Sequence, residues 1–188
     1  PTDKKLPGET GYQQAAPYKT LYLLHGLLGS SNDWITGTRV QRWAEERNLA
    51  VVMPSGDNSF YVDRPASQNH YCEFIGKELV EVTRRMFPLS DKREDTFIGG
   101  LSMGGFGAIL AGLTYPETFG YIVGLSSAMH IFEQPKDVPA KDWAFGEATF
   151  GPGTMAEIAA SNKNPRVVLT ALAERAKEDK TVHLPKVY

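Results

Sequence analysis

The chain has 188 residues, 41% hydrophobic and 22% charged, with 20 Lys+Arg against 22 Asp+Glu for a formal charge of −2. That length accommodates one ordinary domain, and the apolar fraction is that of a folded globular protein rather than a disordered chain. The near-neutral balance offers no basic stripe for a phosphate backbone, so nucleic acid is not an expected partner, and apolar runs as short as Leu21 to Leu24 exclude a bilayer span.

In chain order, the first 19 residues are polar and rich in turn formers. Thr20 to Leu24 reads as a buried strand that His25-Gly26 ends. Val40, Trp43, Ala44 and Arg47 recur at helical spacing, with Arg47 along the edge of the apolar face. Leu49 to Met53 is a second short apolar run, stopped by Pro54-Ser55-Gly56. Tyr71, Phe74, Ile75, Leu79, Val82 and Met86 predict one amphipathic helix, which Pro88 ends. After the mixed-charge turn Asp91 to Asp95, Thr96 to Ile98 reads as a strand, and a helix starts near Ser102. Tyr121 to Leu125 is the fourth strand. Residues 126–153 show no clean period but hold Trp143, Phe145 and Phe150, and read either as a lid or as a plain excursion of the chain. Asn164-Pro165 is an N-cap and first-turn signal for a helix with Val168, Leu169, Leu172 and Ala173 on one face. Leu184 to Tyr188 reads as an incoming strand. Short apolar strands alternating with amphipathic helices predict an α/β protein, a mainly parallel sheet with helices on both faces.

Gly100-Leu101-Ser102-Met103-Gly104 matches G-x-S-x-G, and it stands between an apolar strand and a helix. That is the strand–turn–helix setting in which a serine is projected from the carboxyl end of a sheet as a nucleophile. Glycines two residues either side of the serine remove the collisions that so tight a turn creates. The competing reading is a Gly-rich helix start or a phosphate loop. Acyl transfer also needs two N–H donors where the oxyanion forms. Met103 supplies one by position, and the loop at Leu27 is placed to supply the second. His25, beside that loop, is expected to hydrogen-bond loop backbone rather than act as base, since in this architecture the base follows the serine in chain order.

Tyr22-Leu-Leu-His-Gly-Leu-Leu28, Ser30-Ser-Asn-Asp-Trp34, Met53-Pro-Ser-Gly-Asp-Asn58 and Gly99-Gly-Leu-Ser-Met-Gly-Gly105 together resemble the esterase D/putative esterase family of α/β-hydrolases. Within it the similarity is greatest to the bacterial tributyrin esterases, small carboxylesterases of short-chain acyl esters. Thr36-Gly-Thr-Arg-Val-Gln-Arg-Trp-Ala44, Asn58-Ser-Phe-Tyr-Val-Asp63 and Tyr115-Pro116 are in step with the same pattern. The resemblance implies a single, partial α/β-hydrolase domain over residues 1–188, with Ser102 as nucleophile and the Leu27 and Met103 amides as oxyanion donors. It also implies a triad acid after the strand that begins at Leu184 and a base after the next strand, both beyond Tyr188. His70, His130 and His183 match no triad position. The sequence also opens at Pro1 without an initiator Met, so the chain reads as a fragment, truncated at the C-terminus and open to truncation at the N-terminus.

Cys72, the one cysteine, reads as a packing residue, and its isolation fits a reducing compartment and a cytoplasmic location. Phe60 and Tyr61 follow the second strand with Asp57 and Asn58, on the functional edge of an α/β sheet; they are candidates to border the substrate pocket, with loop packing the alternative. Asp57 and Asp63 stand in no metal-ligand spacing, so neither metal nor cofactor is expected. The expected activity is a serine carboxylesterase acting on acetyl to butyryl esters through an acyl-enzyme. The alternatives are a feruloyl or acetyl-xylan-type esterase, thioesterase or acyltransferase of the same family, or a non-catalytic hydrolase-like module. S-formylglutathione hydrolysis is disfavoured because the cysteine-bearing stretch after the oxyanion loop is absent. The expected partner is a small-molecule acyl ester, with no nucleic acid and no membrane; a homo-oligomer is left open.

Overall fold

The computed structural model of the chain describes residues 17–133, 138–143 and 145–188. The polar N-terminal stretch up to residue 16 and part of the 126–153 segment lie outside the described residues. The apolar runs form the strands of one parallel sheet: β1 (Lys19–Leu24), β2 (Leu49–Val52), β5 (Thr96–Leu101), β6 (Tyr121–Leu125) and β7 (Lys186–Val187), in the order β2-β1-β5-β6-β7. A two-stranded antiparallel ribbon, β3 (Asp63–Arg64) with β4 (Asn69–His70), lies in the connection from β2 to β5. Between β1 and β2 the chain makes two short helices, α1 (Asp33–Gly37) and α2 (Val40–Glu46).

From β1 the chain steps outward to β2, returns to the other side of β1 as β5, and continues to β6 and β7. Right-handed crossovers therefore place α1 and α2 on one face of the sheet. The same rule puts α3 (Tyr71–Glu73), α4 (Leu79–Met86), α5 (Met103–Thr114) and α8 (Pro165–Glu178) on the other face. The connections of the neighbouring strands β1 and β5 leave in opposite directions, so a crevice opens at their carboxyl ends.

The core gathers on α5, which is apolar around its whole circumference and buried from Met103 to Leu113 except at Ile109. A helix of that kind needs cover on every side. It packs against β1, β5, β6 and α8. Phe106 sits among Phe60, Phe132 and Phe150 at ring-centroid distances of 5.7, 5.9 and 6.3 Å. The cap predicted for α8 is present: the Asn164 side-chain oxygen accepts from the Arg166 N–H at 3.0 Å, and Pro165 follows it.

The helix predicted over 71–86 is not regular. Between α3 and α4 the backbone opens into one π-turn, Phe74–Glu78. Gly76 lies there under the ring of Tyr115, so close that a Cβ would stand 2.0 Å from a ring carbon. The wider turn advances the buried face by one residue, so Val80 and Thr83 point into the core while the expected apolar positions Val82 and Met86 are exposed. The Thr83 hydroxyl then meets Tyr22 Oη at 2.7 Å.

Cys72 belongs to this core. It is buried, and loss of solvation pushes its thiol up from 9.0 to about 12. Because the raised group is the folded one, the unfolded thiol ionises first. Its contribution to stability is therefore fully present below pH 9 and is lost as pH rises toward 12. Iodoacetamide at pH 8 should leave native protein unmodified and alkylate Cys72 once urea unfolds it, as read by intact mass.

Candidate active site

Ser102 links β5 to α5 at φ 55° and ψ −114°, a conformation that side-chain-bearing residues seldom adopt and that costs on the order of 1–3 kcal/mol. Three main-chain hydrogen bonds hold it. Its N–H donates to the Leu125 carbonyl at 2.9 Å, and its carbonyl accepts from the Phe106 N–H at 3.0 Å and the Ala128 N–H at 3.1 Å. The flanking glycines are sterically required. A Cβ on Gly100 would lie 2.3 Å from the Gly104 carbonyl oxygen, and one on Gly104 would lie 2.4 Å from the Leu24 oxygen and 2.6 Å from the His25 oxygen. The end of β1 thus runs directly against the first turn of α5. Met103 opens that helix, so its N–H has no acceptor within the helix and the positive end of the dipole lies at Ser102.

The loop after β1 completes the edge of the crevice. Gly26 lies beside Ser102, the position of a Cβ built on it being 3.8 Å from the Ser102 Cβ. His25 is 1% exposed with both ring nitrogens engaged: Nδ1 is 2.8 Å from the Gly26 carbonyl, and Nε2 accepts from the Gly56 N–H at 2.9 Å. Nε2 as acceptor fixes the proton on Nδ1, which donates to Gly26. Among the described residues no histidine or carboxylate is hydrogen-bonded to the Ser102 hydroxyl. His130 is exposed in the 3₁₀ turn Met129–Glu133, and His70 and His183 are exposed on β4 and before β7.

Phe60 and Tyr61 do not stand open to the crevice. They take φ values of 51° and 55°, which turn both rings inward, and they are 6% and 0% exposed. Phe60 packs on Phe106 and Phe150. Tyr61 donates its hydroxyl to the His25 carbonyl at 3.1 Å, and burial raises its pKa. Gly56 and Gly107 make room for its ring, a Cβ at either falling within 2.4 Å of it. The two carboxylates weighed as metal ligands have other partners. Asp57 accepts from the Tyr71 hydroxyl, which that bond pushes up to about 12, and Asp63 caps α3 by accepting from the Cys72 and Glu73 N–H groups.

The 126–153 segment returns to the core through α6 (Gly146–Phe150), where Trp143 stacks on Phe150 with centroids 5.9 Å apart. Arg64 donates to the Ala148 carbonyl and Lys163 to that of Phe150. After α6 the short α7 (Met155–Ala159) begins with a capping box between Thr154 and Glu157. Two features escape the sequence: the bond from the Leu28 N–H to Asn58 Oδ1 at 2.8 Å, and the buried hydroxyl of Ser127 between Gly105 and Gly124, which has no partner among the described residues. Loop composition at 54–58 was the one available signal for the first, and none existed for the second.

Residues 5–184 match the family described as "Putative esterase". An acetyl esterase of Caldicellulosiruptor saccharolyticus is 41% identical over 175 residues, covering 90% of this chain and 63% of that protein. The solved structure of fluorophosphonate-binding serine hydrolase F of Staphylococcus aureus superposes with a TM-score of 0.75 at 31% identity, covering 95% of this chain and 66% of that one. An S-formylglutathione hydrolase from Staphylococcus aureus gives 0.70 at 30% identity, covering 93% and 65%. The chain therefore spans a little under two thirds of the length of these relatives. A parallel sheet whose nucleophile-type turn abuts the loop after β1, and a family match along almost the whole sequence, agree: the chain belongs to this esterase family of α/β-hydrolases.

Proposed function

We propose that this chain carries the nucleophile and oxyanion hole of a serine carboxylesterase for short-chain acyl esters, acetyl to butyryl. The observation that carries the reading is the turn at Ser102: a strained serine at the carboxyl end of β5, held by three main-chain bonds and set on the N-terminus of a buried helix. Ser102 Oγ attacks the ester carbonyl, and the N–H groups of Leu27 and Met103 receive the charge that develops on oxygen. The tetrahedral species collapses with loss of the alcohol, and water then hydrolyses the acyl-Ser102 ester. Neutral serine is a weak nucleophile, so a general base and its orienting acid are required. We place both in the third of the relatives' length that this chain does not span. Phe60 and Tyr61 serve the site from behind, Tyr61 by fixing the His25 carbonyl.

The acetyl esterase named above, at 41% identity, supports a small acyl group. Among the described residues no helix is long and apolar enough to cross a membrane.

Active enzyme containing this chain should be labelled by a fluorophosphonate at Ser102, with Ser102→Ala abolishing the label at unchanged melting temperature. Peptide mapping that finds the adduct elsewhere would overturn the assignment. A preparation of these 188 residues alone should acylate slowly, because a triad without its base typically loses several orders of magnitude in rate.

Across p-nitrophenyl esters of two to twelve carbons, kcat/KM should peak at four carbons or fewer and decline gradually. A hydrophobic pocket discriminates by only about 1–3 kcal/mol per methylene. A maximum at eight carbons or more would refute the short-chain reading.

A further inference from the structure

We propose that Asn58, together with His25, positions the oxyanion amide: the loop after β2 holds both peptide planes that flank Leu27 and so aims the Leu27 N–H. This rests on the reading of Ser102 and Leu27 given above. A trans peptide points its C=O and N–H in opposite directions. Fixing the Gly26 carbonyl therefore fixes the Leu27 N–H. That carbonyl accepts from His25 Nδ1 at 2.8 Å and from the Gly29 N–H at 3.1 Å, so the Leu27 N–H faces away from both donors. The next plane is pinned through its own N–H, which Leu28 donates to Asn58 Oδ1 at 2.8 Å.

Leu27 packs against the core, but that packing does not reach the next residue. Leu28 is 80% exposed, and its φ of 61° is unfavourable for a leucine, so burial offers nothing to hold the turn at that position. Released, the Leu28 backbone gains by returning to negative φ, and that rotation carries the neighbouring plane with it. The restraint comes from across the crevice. Gly56 donates to His25 Nε2, Ser31 donates its N–H to Ser55 Oγ at 3.2 Å, and Tyr61 holds the His25 carbonyl. Asn58 is itself steadied through its neighbour Asp57, which accepts from Tyr71. The segment Ser55–Tyr61 is thus a brace for the loop 25–29. Asn58 touches the exposed end of that loop, where water competes for the Leu28 amide.

The test compares active wild-type enzyme with Asn58→Leu, Asn58→Asp and Ser102→Ala on p-nitrophenyl acetate, with melting temperatures alongside. Deleting an oxyanion donor outright costs roughly 10²- to 10³-fold in kcat, and misaiming one is expected to cost about 10- to 100-fold. Asn58→Leu should therefore lower kcat by that factor with KM unchanged, and should weaken inhibition by a trifluoromethyl ketone in parallel with kcat. Ser102 should still take the fluorophosphonate. Asn58→Asp, which keeps an acceptor for Leu28, should recover most of the loss. Wild-type kcat in Asn58→Leu, or equal losses in the Leu and Asp variants, would overturn the proposal. If Asn58→Leu fails to melt cooperatively, Asn58→Ala replaces it with the same expectations. Turnover that survives in Ser102→Ala overturns the nucleophile assignment, and this proposal with it.

Discussion

A serine held at φ 55° between a strand and a helix is the constraint on which the rest of the structure turns. The backbone strain has to be overcome by surroundings that leave the residue no alternative, and here those surroundings are main chain. Carbonyls and amides from β6, from the segment that follows it and from α5 take up the polar groups of Ser102. The end of β1 presses on Gly104 so closely that no side chain fits. Backbone is stiffer than side chain, so the hydroxyl is fixed without reference to the variable parts of the protein. Burial of α5 on every side adds to this, because a helix with no exposed face has no direction in which to slide.

The same contact explains why the site lies between β1 and β5 rather than elsewhere along the sheet. These two strands are in register from Thr20 opposite Thr96 to Leu24 opposite Gly100, so both reach the carboxyl edge together. Their connections part there, one toward α1 and the other into α5. The loop 25–29 is left beside Ser102, with His25 and Leu27 packed inward and Leu28 exposed. Hydrogen bonds from residues 55–61 complete its shape, which makes that segment part of the site. Phe60 and Tyr61 illustrate the point: buried aromatic mass from that connection supports the crevice from beneath.

Much of this was legible in the sequence, for identifiable reasons. Short apolar runs bounded by Gly and Pro could only be buried strands, and the G-x-S-x-G spacing carries its own steric logic. The apolar signal of β5 stops at Ile98, but the strand continues through two glycines to Leu101, because glycine gives no propensity signal even where pairing requires a strand. The π-turn at Phe74–Glu78 was invisible, since its cause is a ring 39 residues further along the chain, that of Tyr115 over Gly76. The inward turn of Phe60 and Tyr61 was hidden for a related reason. Nothing in an aromatic side chain announces a positive φ, and the partners around the two rings come from α5, α6 and the loop after β1. The position of Asn58 after the second strand marks it as a residue near the crevice, but its partner Leu28 stands 30 positions away.

The π-turn carries a consequence for how this fold tolerates change in chain length. One residue more than a regular helix would use is stored between Tyr71 and Met86. Were the turn to close to regular α geometry with that residue retained, everything beyond it would rotate by about 100°. Val82 and Met86 would swing inward, while Val80 and Thr83 would swing out and Tyr22 would lose its hydroxyl partner. Deleting one residue within Phe74–Glu78 would instead leave a regular helix that keeps Val80 and Thr83 inward, whereas a deletion in α4 ahead of Thr83 would be felt at the centre of β1. In this stretch the spacing of residues is as much a part of the sheet's packing as their identity.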